Sequence, residues 1–354
     1  MKVWFDGSFI LNKKTGIGNY LLNLKDKFHS ACINTEILRY NERGPFVFNV
    51  IPYLIWLNVI FYLKTLKEKP DIIVFPAYIF PVLRRKKTKY AAVIHDLAPY
   101  KNGLFSFYYK LVYLLIIEFA VRNADMIITV SQTIKKEIIE QFKIPEDRVK
   151  IIYNSVGNIF LNNNTPDNSE ILERFLLKPN NFILTASTMN RQNSKRKNIS
   201  ACMEAFKSIS EKYPDIKLVL VGKSENNGQL KGIKNKNIIL TEYLSDKDLH
   251  YLFKNALMYV FPSLYEGFGI PILEAQVSGL PVIVSDIPVF REVAANSVIF
   301  CEPHSQGIAA AIEILINNQE KRTELIQKGF LNFERFNETI LLRQIKEIFG
   351  NRNE

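Results

Sequence analysis

The sequence predicts an α/β protein built from two doubly wound, Rossmann-like domains. Three observations carry that expectation. The chain has 354 residues, more than a single hydrophobic core usually organises. Short β-branched runs alternate with longer amphipathic segments, first over residues 1–165 and again over residues 166–337. Between the two series lies "NIFLNNNTPDNSE", a polar, Asn-rich stretch with a proline, which reads as the join.

In the first series the expected strands are "KVWFD" from Lys2, "DIIVFPA" from Asp71, "YAAVIHD" from Tyr90, "DMIITVS" from Asp125 and "VKIIYNS" from Val149. In the second they are "NFILTAS" from Asn181, "IKLVLVG" from Ile216, "KNIILTE" from Lys236, "ALMYVFPS" from Ala256, "LPVIVSD" from Leu280 and "SVIFCEP" from Ser297. These runs are apolar on both faces, as parallel strands are when helices cover both sides of a sheet. "VSQTIKKEIIEQF" is a helix start: Ser131 or Thr133 can cap it, and Ile134, Ile138 and Ile139 form one face. "SDKDLHYLFKNA" follows the same plan with Ser245 as cap. Residues 338–354 read as a closing amphipathic helix that could return to the first domain.

Two apolar stretches need a separate decision. Residues 46–63, "FVFNVIPYLIWLNVIFYL", approach bilayer-spanning length, but Asn49, Pro52 and Asn58 interrupt them. Residues 104–121, "LFSFYYKLVYLLIIEFAV", carry Lys110 and Glu118. The sequence favours two buried helices over a bilayer span. A third reading is aromatic helices resting on a membrane surface, with Tyr108, Tyr109 and Tyr113 at the interface. The intervening "LRRKKTK" is then a headgroup contact rather than a solvated loop.

Charge supports an anionic partner. Of the formal net charge of +11, +10 falls within residues 1–165. Such asymmetry suits nucleic acid, anionic lipid headgroups or a phosphorylated acceptor. Cys32, Cys202 and Cys301 lie far apart, form no CxxC or zinc spacing and are odd in number. A reducing, cytoplasmic compartment is expected. "MKVWFDGSF" lacks the unbroken apolar core of a signal peptide.

The chemistry concentrates in "SLYEGFGIPILEAQVSGLP". An apolar strand ends at Ser263, a Gly-Phe-Gly loop follows, and Pro271 sits where a helix should begin. Gly279 and Pro281 end that helix. The glycines therefore lie at a helix amino end beside the carboxyl edge of a parallel sheet. The positive dipole and N–H groups there favour a phosphate, and glycine lets backbone approach a ligand closely. Glu266 and Glu274 flank the loop. They stand eight positions apart, which a fully helical chain would span in roughly 12 Å. That is about the reach from sugar to ribose in a nucleotide sugar, whose paired hydroxyls carboxylates can accept.

This stretch, continuing as "VIVSDIPVFREVA", resembles the donor-site signature of retaining GT-B glycosyltransferases, specifically glycosyltransferase family 4. The resemblance covers most of the chain and is strongest over residues 218–303. It implies two Rossmann-like domains facing an interdomain cleft. It implies that Glu266 binds the donor sugar and that Phe268 and Gly269 place backbone N–H groups near sugar hydroxyls and phosphate. Glu274 would hold the ribose. Arg196, Lys197 and Asn198 match the family's cationic triplet. Lys197 is expected on the diphosphate, with Arg196 as its neighbour and Arg191 as a substitute for a missing second cation. In "VIHDLAPY", the resemblance places His95 facing the donor sugar, with Asp96 orienting it or touching the acceptor. "TGIGNY" resembles the family's "TGIGRY" loop, with Asn19 replacing the usual Arg. Gly16 and Gly18 are then expected near donor phosphate and acceptor, since the loop lacks the third glycine and distant acid of a dinucleotide fingerprint.

The implied reaction is hexosyl transfer with retention, from GDP-mannose ahead of a UDP-hexose, onto a lipid-linked saccharide of bacterial O-antigen or capsule. No DxD-type acidic pair is placed for a metal, so no metal or other cofactor is expected. The partners are the nucleotide sugar, the lipid-linked acceptor and the anionic inner membrane surface, with no nucleic acid. A GT-B UDP-sugar epimerase and a non-catalytic GT-B partner subunit are the alternatives; a nucleic-acid-binding protein would explain the charge but not the donor signature.

Overall fold

Each of these apolar runs forms a strand. A computed structural model describes residues 1–8, 16–40, 50–101, 103–104, 107–162, 168–186, 193–222 and 235–350. The first sheet contains β1 (Lys2–Asp6), β2 (Asn34–Leu38), β3 (Ile72–Phe75), β4 (Lys89–Ile94), β5 (Met126–Thr129) and β6 (Val149–Ile151). The second contains β7 (Phe182–Ala186), β8 (Lys217–Val221), β9 (Ile238–Leu240), β10 (Met258–Phe261), β11 (Val282–Ser285) and β12 (Ile299–Cys301). All strand pairs within both sheets are parallel.

Strand order fixes where each unit presents its loops. The first sheet runs β2-β1-β3-β4-β5-β6 and the second β12-β11-β10-β7-β8-β9. In the first, connections diverge on either side of the β1/β3 pair; in the second, on either side of β7/β10. Such switch points leave a crevice beyond the carboxyl ends of the strands, where α/β sheets bind ligands.

The chain divides into two units. One comprises Met1–Asn102, Ser106–Ser155 and Phe336–Glu354; the other comprises Gly103–Phe105 and Val156–Arg335. The closing helix, Glu338–Phe349, belongs to the first. Asn337 caps it by accepting from Ile340 N, and Phe349 meets Phe28 edge-on at 4.7 Å. Gln344 accepts a hydrogen bond from Tyr153 N at 3.1 Å. Ser131 caps the Gln132–Phe142 helix, accepting from Ile134 N at 3.2 Å. Ser245 and Asp248 form a reciprocal capping box at the Asp246–Asn255 helix.

Two expectations need correction. Strand β2 has no counterpart among the apolar runs. "NTEIL" is an edge strand, and its polar Asn34, Thr35 and Glu36 are not covered on both faces. The two apolar stretches are also not simply buried. Val50–Ile55, a π-turn at Trp56–Ile60 and Phe61–Glu68 run on as one helical segment. It buries Tyr53, Trp56, Leu57 and Phe61 but leaves Ile51, Ile55, Val59 and Leu63 exposed. The Phe107–Asn123 helix buries Ile117, Ala120 and Val121 and exposes Leu111, Val112 and Leu115. Tyr113 meets Tyr78 edge-on at 6.2 Å, while the side chains of Tyr108 and Tyr109 lie outside the described part. Among the described residues no helix is long and apolar enough to cross a membrane.

One buried polar side chain gives a stability test. His250 is fully buried against Phe160, and neither ring nitrogen has a partner among the described residues. Burial, with help from nearby Lys254, pushes it down from 6.5 to about 4. The neutral ring is the folded form, so its contribution is present above pH 6.5 and lost as pH falls towards 4. Urea unfolding at stepped pH should show His250→Leu losing less stability than the natural chain across that window; equal slopes would contradict it.

Candidate active site

At the β7/β10 switch point two segments meet. Arg196 ends the short Asn193–Arg196 helix and Lys197 follows it, and the loop after β10 carries Glu266. Backbone ties them together: Leu264 N donates to Arg196 O at 2.8 Å. Asn198 adopts a left-handed conformation with φ +55°, and its Nδ2 donates to Pro303 O at 2.8 Å. That turn starts the Ile199–Lys212 helix and aims the two preceding cations inward.

Glu266 receives both. Lys197 Nζ donates to its Oε1 at 2.5 Å, and Arg196 Nη1 donates to its Oε2 at 3.2 Å. Side-chain exposure is only 9% for Glu266, 14% for Lys197 and 13% for Arg196, so this is a desolvated triad rather than a surface pair. Burial pushes Glu266 up, but the charges of Lys197 and then Arg196 outweigh it and hold the carboxyl below its ordinary 4.5. Lys197 also lies 5.1 Å from the centre of the Phe261 ring, on the last residue of β10. Two cations against one carboxylate leave a net positive charge at the sheet edge.

The Ile270–Val277 helix begins four residues after Glu266. Gly269 caps it at φ +105°, a conformation that side chains rarely adopt. A Cβ there would lie 2.9 Å from the Phe290 ring, so the position is closed to larger residues on steric grounds too. Phe268 is buried beneath this turn. Helix structure starts only at Ile270, so the fully helical spacing considered for Glu266 and Glu274 does not apply. The helix is braced from behind: Gln276 Nε2 donates to Ser297 Oγ at 2.6 Å, and Asn332 Nδ2 donates to Gln276 Oε1 at 2.9 Å. Glu274 lies inside the helix and keeps part of its surface open. Low-dielectric surroundings, and secondarily the Asp246 carboxylate, push it up to about 8. The two glutamates are therefore in opposite states near neutrality: Glu266 ionised, Glu274 favouring its proton.

The first unit builds a different site at its own strand ends. Gly16 and Gly18 lie in the first turn of the Gly16–Ser30 helix. From that helix Tyr20 meets the His95 ring edge-on at 4.7 Å. His95 follows β4, and its Nε2–H donates to Pro76 O, just beyond β3, at 2.9 Å. That bond places the ring's lone pair on Nδ1. Burial holds its pKa below the ordinary 6.5, so the ring is neutral. The Oδ1 of neighbouring Asp96 accepts from Ala98 N at 3.0 Å, at the start of the Ala98–Tyr100 turn. The Asp96 charge acts on His95 in the opposite direction to burial, as a smaller effect.

The structure thus gathers Arg196, Lys197, Glu266, Phe268, Gly269 and Glu274 within the second unit. Gly16, Gly18 and His95 belong to the first. Arg191 lies outside the described residues. Sequence reasoning missed Asp6, a fully buried acid ending β1. It accepts from Tyr53 OH at 2.5 Å and from Ser8 Oγ at 2.6 Å, and burial raises its pKa. The available signal was a lone acid closing an otherwise apolar strand.

A cationic pair and a helix amino end form an anion site suited to phosphate, and the flanking glutamates suit hydroxyl donors. Residues 173–331 match the family model described as Glycosyl transferases group 1, and residues 16–157 match Glycosyltransferase Family 4. Together the two models span most of the chain. The O-antigen chain mannosyltransferase RfbU of Salmonella typhimurium is 28% identical over 74% of this chain and 68% of its own length. The O-antigen chain mannosyltransferase B of Escherichia coli is 28% identical over 60% of this chain, which spans 57% of that protein. Among solved structures, sucrose-phosphate synthase from Thermosynechococcus elongatus superposes with a TM-score of 0.75 at 15% identity, covering 98% of both chains. WaaG, a glycosyltransferase involved in lipopolysaccharide biosynthesis, gives 0.74 at 14% identity over 99% of this chain and 100% of its own. These likenesses show the shared GT-B fold.

Two measurements probe the site without any ligand. Lys197→Ala leaves Glu266 buried with Arg196 as its remaining charge partner and should cost about 1–3 kcal/mol. Lys197→Ala and Glu266→Ala combined should cost less than the sum of the singles, by about 1–3 kcal/mol, in a chemical-denaturation cycle. Strict additivity would dissolve the triad. Glu274 is the second case. Its folded pKa exceeds its ordinary 4.5, so the stability linked to its proton is present at low pH and lost as pH rises towards 8. Glu274→Gln should raise Tm above that of the natural chain at high pH, and the gain should shrink in mild acid.

Proposed function

The chain belongs to glycosyltransferase family 4, with the GT-B architecture, and from that premise we propose that it transfers a mannosyl group from GDP-mannose to a lipid-linked saccharide. The pathway is bacterial surface polysaccharide assembly, of O-antigen or capsule type. The mannosyltransferase relatives support this donor, with a UDP-hexose next; HepE of Anabaena, solved with UDP and glucose, shares the fold. The second unit binds the nucleotide sugar, and the first takes the acceptor. The enzyme works in the cytoplasm at the inner face of the cell membrane.

One observation carries the reading: Arg196 and Lys197 converge on Glu266 at the β7/β10 switch point, beside a glycine-capped helix amino end. The diphosphate takes the place of Glu266 as partner of the two cations. Glu266 then accepts from sugar hydroxyls, and Glu274 accepts from the ribose. In the transfer step the bond from C1 of the sugar to the diphosphate oxygen breaks, and a bond from C1 to the acceptor oxygen forms on the same face. The acceptor's proton passes to the departing diphosphate, so configuration is retained. Lys197, Arg196 and the helix dipole stabilise the charge that grows on the leaving group. Neutral His95 and the helix amino end at Gly16 and Gly18 belong to the acceptor-side unit. This arrangement needs no metal.

A donor panel tests the proposal. GDP-mannose should raise Tm more than UDP-glucose and should alone support turnover, unaffected by EDTA. The product should carry the donor's anomeric configuration by NMR. Lys197→Ala and Glu266→Ala should each lower turnover by about 100-fold or more, the scale of losing one transition-state charge contact. Inversion, or activity surviving both substitutions, would overturn the assignment.

A further inference from the structure

The first unit exposes apolar side chains on two helices and on the loop between them. On the 50–68 helical segment, Ile51, Ile55, Val59 and Leu63 recur every fourth residue; Ile51 is 72% exposed and Leu63 58%. On the Phe107–Asn123 helix, Leu111, Leu115 and Phe119 form a stripe opposite buried Ile117, Ala120 and Val121, and Leu115 is 63% exposed. Between them, Val82 is 66% exposed and Leu83 48%. Patches of this kind on soluble chains mark interaction sites.

The three pieces are joined by specific bonds. Asn58 lies in the π-turn, where the helical ladder slips by one residue and re-aims the side chain. Its Oδ1 accepts from Val82 N at 2.7 Å and from Leu83 N at 3.1 Å. On the other side, the Arg84 guanidinium donates to Asn123 O, at the end of the second helix. The loop is thereby clamped to both helices with its two aliphatic residues outward. Exposed Lys86 and Lys87 follow directly.

We propose that this surface, formed by the outer faces of the 50–68 and Phe107–Asn123 helices and the 82–87 loop clamped by Asn58, docks the enzyme on an anionic lipid bilayer. Aliphatic residues enter the interface while Lys86 and Lys87 meet headgroup phosphates. Charge complementarity selects this occupant: the unit that displays the apolar faces also carries nearly all the chain's basic excess. The inference deepens the lipid-linked acceptor reading and rests on it, because the docked face belongs to the acceptor-side unit.

The test is flotation of the full chain with phosphatidylcholine vesicles, with and without phosphatidylglycerol. Binding should require phosphatidylglycerol and weaken with salt. Ile55→Ser with Leu115→Ser should weaken it about tenfold or more, the scale of two partly buried aliphatic side chains. Lys86→Glu with Lys87→Glu should weaken it about tenfold or more and reduce the salt dependence. All four positions are exposed, so both variants should keep the natural Tm and turnover on a water-soluble acceptor analogue. Failure of the natural chain to float, or equal flotation of the serine pair, would overturn the surface. So would a dimer in solution that the serine pair dissolves, or displacement of vesicle binding onto polynucleotide. Vesicle binding without transfer to any acceptor would sink the functional reading and leave the surface standing.

Discussion

The second unit is organised around one buried carboxylate. Glu266 is almost wholly withdrawn from solvent, and a charge so placed is tolerated only with partners. The segment at Arg196 and Lys197 supplies them, and the backbone turns left-handed at Asn198 directly after. This constraint ties together two loops that diverge in sequence but share a switch point. It also holds two cations desolvated and oriented at one sheet edge, where the proposed function has an anionic ligand exchange for the carboxylate.

The sequence was most legible where several local rules agreed. Buried parallel strands are apolar on both faces, so eleven of the twelve described strands could be read directly. The donor loop combined strand, glycine, Pro271 and acids in an order that a core helix does not need. Edge strand β2 was not legible, because half-exposed positions relax the apolar requirement. The Arg196 pairing was equally hidden, since charge partners 70 residues apart leave no local trace. The state of Glu274 depends on packing and on Asp246, and the tautomer of His95 on the Pro76 carbonyl; neither is written in its neighbours. Asp6 was visible as a letter but not as a buried acid held by Tyr53.

The first unit shows the opposite balance between core and surface. Its interior is crowded with aromatic residues, including Trp4, Phe5, Tyr53, Phe61 and Phe75. Its outer helices nevertheless keep aliphatic side chains in water. Burial alone would have removed them; Asn58 instead ties the likewise exposed Val82 and Leu83 to the first of these helices. Apolar content in sequence predicted helices correctly; it could not say that only one face of each would be covered.

The central claim is that Glu266 and a diphosphate compete for the same two cations. Calorimetric titration of GDP into the natural chain, Lys197→Ala and Glu266→Gln tests it directly. The account predicts that Glu266→Gln binds GDP at least as tightly as the natural chain, because its cations no longer have to leave a carboxylate, while Lys197→Ala binds it far more weakly. If Glu266→Gln loses GDP affinity to the same extent as Lys197→Ala, the carboxylate is not the stand-in for the ligand and the account is wrong.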